Sequence, residues 1–218
     1  MKQEKSDTWQ LSVTPASATL HATLFLRDAF QLKPDDESGI PPHLIGDVPD
    51  LSALASNLDE REAALAWTPW WERALDVEVA ALTNGAGASA PSDAARAQFF
   101  DPPEFTSLAG SPALRLLART AHRESLRWSK FHSSFVRDSM AYALKDSVVS
   151  SVVWETCADR HVSPAQLHAS ILVFEVEGLW TTYPRAGVLA CSVGALRKET
   201  LVQECLREAF IQTLGLEP

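Results

Sequence analysis

The sequence predicts an α+β fold, a small antiparallel sheet packed with a central set of helices and a C-terminal helix. Apolar and polar residues alternate near the N-terminus, and apolar strand-like runs return in the last quarter of the chain; both are typical of strands. Apolar residues at helical spacing dominate the segments between these strand regions, and they dominate the C-terminal end as well. Strands and helices do not alternate regularly, which disfavours a doubly wound parallel sheet.

Composition fits one globular domain over residues 1–218, with 46% hydrophobic and 22% charged residues. The first ten residues are polar and charged, and no segment approaches the roughly 20 apolar residues that a membrane span requires. We therefore expect a cytoplasmic protein without membrane contact. The odd number of cysteines, Cys157, Cys191 and Cys205, favours reduced, buried thiols over a disulfide framework.

The N-terminal part is interpreted as two short strands, at residues 9–13 and 19–26, although the second also fits a helix. Proline, glycine and aspartate then accumulate in residues 34–50, which indicates a surface loop, either ordered or flexible. The small residues of 84–92 predict a mobile connector. Flexible loops are therefore expected near residues 34–50 and 84–92.

A helical region is expected over residues 51–84, interrupted before Pro69, with Thr68 as the cap of its second part. Trp67, Trp70 and Trp71 occupy positions i, i+3 and i+4 on nearly one helical face. Such a cluster can stack a ligand, but because each ring buries a large area, a place in the core is favoured.

A long helix is predicted to begin with Ser111 and Pro112 and to end near residue 144. Residues 148–157 fit a helix slightly better than a strand. Residues 168–193 predict a β-hairpin with its turn near residues 183–187, and an amphipathic helix follows over residues 196–214, ended by Gly215.

The long helix carries the most unusual charge pattern of the chain. Residues 113–137 contain six basic side chains and one acid, a net charge of +5 in a chain of net charge −9. Projected at about 100° per residue, the basic side chains lie opposite the apolar ones. They are Arg115, Arg119, Arg123, Arg127, Lys130 and Arg137.

This basic stripe suggests a non-catalytic interaction domain that binds a protein partner or a second copy of itself. The predicted contact residues are Arg119, Arg123, Leu126, Arg127 and Lys130. Leu126 within the stripe favours a protein over a polyanion, and the acidic remainder of the chain disfavours nucleic acid, the third hypothesis. The plainest alternative is a solvated helix face paired with the protein's own carboxylates, for example those of residues 35–37.

An enzyme acting on an anionic substrate is the second hypothesis. It would use His122 or His132 with Glu175 or Glu177 as acid and base, and an arginine to hold the substrate. It requires a deep polar cleft in which a histidine and a carboxylate lie within mutual reach. Ordinary surface carboxylates and a core histidine are the more common explanation of the same residues.

No cofactor or metal is expected. The sequence lacks the phosphate-binding glycine patterns and the spaced Cys and His pairs of common metal sites. A zinc site built from Cys157, His161, His168 and Cys191 is conceivable by ligand type, but the spacing matches no common zinc motif. Buried thiols with surface or loop histidines are therefore favoured.

Overall fold

The structure is a computed structural model that describes residues 8–35, 39–83 and 100–215, with only the backbone of residues 132–143. Within these ranges the fold is α+β, as predicted, with six α-helices and a four-stranded mixed sheet. The strands are β1 (Gln10–Pro15), β2 (His168–Phe174), β3 (Thr181–Arg185) and β4 (Val188–Ser192). The helices are α1 (Ala18–Ala29), α2 (Glu60–Thr83), α3 (Pro112–Ala143), α4 (Asp146–Arg160), α5 (Val193–Leu196) and α6 (Glu199–Thr213).

The chain divides into two compact units. The sheet unit comprises residues 1–15, 135–174 and 178–218, and the helical unit comprises residues 16–134 and 175–177. The described helices include none that is both long and apolar enough to cross a membrane. The predicted connector at residues 84–92 lies outside the described ranges.

The sheet has the order β1-β2-β4-β3 and is mostly parallel. β1 runs parallel to β2 and β2 parallel to β4, so the expected antiparallel arrangement is wrong for these pairs. Only β3 and β4 form an antiparallel hairpin, and β3 occupies the segment predicted as a turn. The physical reason is burial: β4 is buried at all five positions, and strands buried on both faces read as continuous apolar runs.

The core of the sheet unit lies between the sheet and helices α4 and α6. Val153, Ile171, Leu206 and Phe210 are buried at its centre. All three cysteines are buried and free, which confirms the expectation of reduced thiols. The helices predicted at 148–157 and 196–214 are also confirmed, the second as α5 followed by α6.

Ser192 fixes the connection around the end of β4. Its Oγ donates to the carbonyl of Gly178 at 2.9 Å and accepts from the backbone N–H groups of Ala195 at 3.0 Å and Trp180 at 3.2 Å. The backbones of Gly178 and Gly194 approach each other so closely that a Cβ at Gly194 would lie 2.4 Å from the Gly178 carbonyl oxygen. Glycine is therefore required at position 194.

In the helical unit, the prediction of a second N-terminal strand at residues 19–26 is wrong. These residues form α1. Ser17 caps the helix by accepting from the N–H of Leu20 at 3.3 Å. Residues 20–27 are all buried, so the apolar alternation carried no information about an exposed face.

Helix α2 begins at Glu60 and continues through Pro69, so the predicted interruption and the Thr68 cap are wrong. The N–H of Glu62 donates to Asp59 Oδ1 at 2.9 Å at its N-terminal end. The three tryptophans explain why the helix continues: they are buried on one face of the helix, before and after Pro69, which favours one unbroken helix despite the proline. The predicted core position of Trp67, Trp70 and Trp71 is confirmed.

The described part of the loop at residues 39–50 follows a course set by two buried neighbours on α1. Arg27 donates to the carbonyls of Pro41 and Pro42, and Asp28 accepts from the N–H of Leu44 at 2.7 Å. Residues 43–45 also bond to residues 175–177, through Ile45 N to the Glu175 carbonyl at 2.9 Å and Glu177 N to the His43 carbonyl at 2.8 Å. Side-chain bonds from α1 on one side and backbone bonds to residues 175–177 on the other therefore hold residues 41–45.

Candidate functional site

The five predicted contact residues lie on one exposed side of α3. We call this set, Arg119, Arg123, Leu126, Arg127 and Lys130, the basic face; every member is exposed. Residues four apart on a helix are neighbours, so 119, 123 and 127 form one column and 126 and 130 another. The opposite side of the helix is buried, at Leu114, Leu117, Ala118, Ala121 and Trp128.

Two of the arginines of the basic face lie near the protein's own carboxylates. Arg127 pairs with Glu124 at 2.8 Å, while Arg119 lies 4.0 Å from Glu104. In the described ranges, no carboxylate lies within ion-pair distance of Arg123. Exposed pairs of this kind contribute about 0–1 kcal/mol, so they leave the guanidinium groups available to an external anion.

Apolar side chains border the basic face. Leu116 and Leu126 are about half exposed, at 48% and 49%, and Phe131 is 80% exposed. Of these three, only Leu126 is among the contact residues predicted from the sequence. Leu116 and Phe131 could have been found by extending the helical projection along the helix in both directions, because they lie just before and just after the basic face in the sequence. The surface is thus mixed, cationic at its centre and apolar at its edges.

A pocket of about 290 Å³ opens beside the basic face. Its lining residues come from helix α1, from α3 and from the loop after residue 45. Phe25 and Trp128 are buried, with ring centroids 6.3 Å apart and planes tilted by 52°. We call this the aromatic pocket, and its lining residues are Phe25, Asp47, Pro49, Glu124, Arg127, Trp128 and Phe131.

A buried acid lies next to the histidine that contacts Trp128. The rings of His21 and Trp128 are 5.8 Å apart, and the backbone N–H of Glu175 is 3.5 Å from His21 Nε2. The side chain of Glu175 is buried, which raises its pKa to about 7, and its Oε2 has no hydrogen-bond partner among the described residues. His21 was not singled out from the sequence because it lies in the stretch expected to be a strand.

The other predicted acid and base candidates lie in different surroundings. Glu175 and Glu177, two residues apart in the segment predicted as a strand, are expected to face the same way in a strand; this expectation is wrong, because Glu177 is exposed whereas Glu175 is buried. The cause is that β2 ends at Phe174, before either residue. The side chain of His132 lies outside the described part of the chain.

His122 packs among aromatic rings. Its ring meets Phe105 edge to face at 5.6 Å, and burial lowers its pKa, which favours the neutral imidazole. It lines a cavity of about 10 Å³ together with Trp70. This environment is that of a core histidine, and the enzyme hypothesis stays a prediction.

The four side chains considered for zinc differ in exposure. Cys157 and Cys191 are buried, while His161 and His168 are exposed. Within the ranges that the structure describes, no three His, Cys, Asp or Glu side chains are grouped so as to hold a metal ion.

Comparisons of the chain with protein-family models, with curated proteins and with solved structures found no match. The surface itself is therefore the basis for assigning a function. Arginine and aromatic residues are enriched in protein interfaces, and the basic face with the aromatic pocket combines both.

Proposed function

We propose that the chain is a non-catalytic domain that binds another protein through the basic face of α3. The observation that carries this proposal is that four cationic side chains and Leu126 are exposed together on one side of a helix, with Leu116 and Phe131 at the borders. Large apolar side chains exposed in one region are a common mark of an interaction site.

The mixed character of the face favours a protein over nucleic acid. A polyanion would gain from the arginines, but the apolar borders would remain without a matching surface. The net charge of −9 also repels a polyanion at longer range. A protein segment that carries both acidic and apolar side chains matches both parts of the surface.

The arginine column indicates what the partner presents. Arg119, Arg123 and Arg127 follow one another at intervals of one helical turn, about 5–6 Å between Cβ atoms. Each guanidinium can donate two parallel hydrogen bonds to a carboxylate. Aspartate or glutamate side chains repeated at a similar interval would therefore bind along the column.

The test is charge reversal on the basic face. A photo-crosslinking amino acid at the exposed Thr120 would capture the bound protein in cells, and mass spectrometry would identify it. The double variant Arg123→Glu and Arg127→Glu should abolish both this crosslink and co-purification of the identified protein. Circular dichroism should show an unchanged fold, because both side chains are exposed.

The matched control is Arg61→Glu with Arg73→Glu, which makes the same change of net charge at two exposed positions of α2. Capture should survive in this variant. Undiminished capture by the Arg123 and Arg127 variant would contradict the proposal. Capture of RNA instead, weakening steeply with salt, would support the nucleic-acid hypothesis in its place.

A further inference from the structure

We propose that the aromatic pocket receives one aromatic side chain from an acidic segment of the partner that binds the basic face. This inference rests on the proposed function and adds to it the partner's anchoring residue. Arg127 and Phe131 line the pocket and also lie on the exposed surface of α3, so the pocket and the basic face are continuous.

The size and walls of the pocket fit a single side chain. Pockets for drug-sized ligands span about 300–1,000 Å³, so a volume of about 290 Å³ lies at the lower limit of that range. Phe25, Trp128 and Phe131 supply ring surfaces, and Pro49 adds an apolar wall. Aromatic rings favour tilted or edge-to-face contact with a further ring, which adds to the gain from burying it.

The charges around the pocket argue against a cationic anchor. Glu124 is paired with Arg127 at 2.8 Å, which leaves Asp47 as the second acid of the lining. Arg123 and Lys130 lie on the same exposed surface close by and oppose a cation. A neutral aromatic ring matches the apolar walls of the pocket, and acidic residues next to it in the partner sequence match the basic side chains around the pocket.

Much of the pocket lining is also in place before binding. Trp128 and Phe25 are held in the core, at 6% and 0% exposure. The segment before Asp47 is fixed by the hydrogen bond from Ile45 N to the Glu175 carbonyl. A pocket with walls already in place requires less ordering on binding, and this favours its use as an anchor site.

Three synthetic pentapeptides provide the test, each blocked at both ends: Asp-Glu-Trp-Glu-Asp, Asp-Glu-Ala-Glu-Asp and Lys-Lys-Trp-Lys-Lys. Each would be titrated into the full chain while the indole N–H of Trp128 and the backbone amides of residues 124–131 are followed by NMR. The acidic tryptophan peptide should shift these signals and bind about tenfold more tightly than either other peptide, as expected for one buried anchor and matching charges.

Phe131→Ala should weaken binding of the acidic tryptophan peptide about fivefold or more, because it removes one ring of the pocket. Leu54→Ala is the matched control, since it truncates a side chain that is 64% exposed and is not part of the pocket lining. Both variants should fold normally because both side chains are largely exposed.

If the alanine peptide binds as tightly as the acidic tryptophan peptide, the proposal of an aromatic anchor is wrong. If the lysine peptide binds more tightly than the acidic tryptophan peptide, the proposal that acidic residues flank the anchor is wrong. No shift with any peptide up to about 5 mM would overturn the inference as a whole. These results do not depend on the crosslinking experiment. Loss of capture in the Arg123 and Arg127 variant without peptide binding would retain the protein-binding function and reject only the anchor.

Discussion

The guanidinium carbon of Arg27 lies 5.7 Å from the ring centre of Trp67, and both side chains are buried. The same guanidinium bonds to Asp28 and to the carbonyls of Pro41 and Pro42. The indole N–H of Trp67 donates in turn to the Thr23 carbonyl at 2.8 Å. One buried cation thus connects α1, α2 and the proline-rich loop.

Replacement of this cation should be costly. Arg27→Met keeps much of the side-chain volume but removes the cation paired with the buried Asp28 carboxylate and the donor to the carbonyls of Pro41 and Pro42, so we expect a loss of about 3–5 kcal/mol of unfolding free energy. Urea denaturation followed by tryptophan fluorescence measures the change. Arg73→Met, at an exposed position of α2, should stay within about 0.5 kcal/mol of the parent chain. Equal stability of the two variants would contradict a structural role of Arg27.

Gly194 should not tolerate a methyl group. In Gly194→Ala the new Cβ would meet the Gly178 carbonyl oxygen at 2.4 Å, and because the obstacle is backbone, we expect destabilisation of about 1–3 kcal/mol. Gly110→Ala is the control, since nothing lies within 4 Å of its added Cβ. It should be neutral or slightly stabilising, by up to about 1 kcal/mol. Thermal or urea unfolding of both variants compares them directly, and a neutral Gly194→Ala would show that the two backbones can separate.

The contrast between Gly194 and α3 shows what the sequence could predict. The bounds of α3 and its basic face follow from the spacing of residues along the sequence itself, which does not depend on the rest of the fold. The close approach at Gly194 and the aromatic pocket depend on residues distant in the chain, such as Phe25, Asp47 and Trp128. The strand predicted from apolar and polar alternation at α1 is wrong for a related reason. The helix is buried on most sides, which removes the difference between an apolar buried face and a polar exposed face on which the prediction depends.

The three thiols should resist modification in the folded protein. Burial raises the pKa of Cys157, and it raises that of Cys191 to about 12, so little of the reactive thiolate forms at pH 8. Ellman's reagent at pH 8 should react slowly with the native chain and should label all three cysteines in urea. Rapid labelling of one thiol without denaturant would place that cysteine at the surface and contradict its burial.

Glu175 should make stability depend on pH in an unusual direction. Burial raises its pKa from an ordinary 4.5 to about 7, so the folded state binds a proton that the unfolded state has already lost. The unfolding free energy should therefore fall as the pH rises from about 4.5 to about 7, by about 3 kcal/mol for this group, and should show no further effect of it above that range.

Glu175→Gln isolates this contribution, because the amide stays neutral at every pH. Relative to the parent chain, the variant should gain stability between pH 5 and pH 8, as measured by urea denaturation at both values. Glu177→Gln is the matched control, two residues away and exposed, and it should show little change with pH. If the parent chain and Glu175→Gln differ by the same free energy at pH 5 and pH 8, Glu175 titrates normally, and its carboxyl must reach water or a donor.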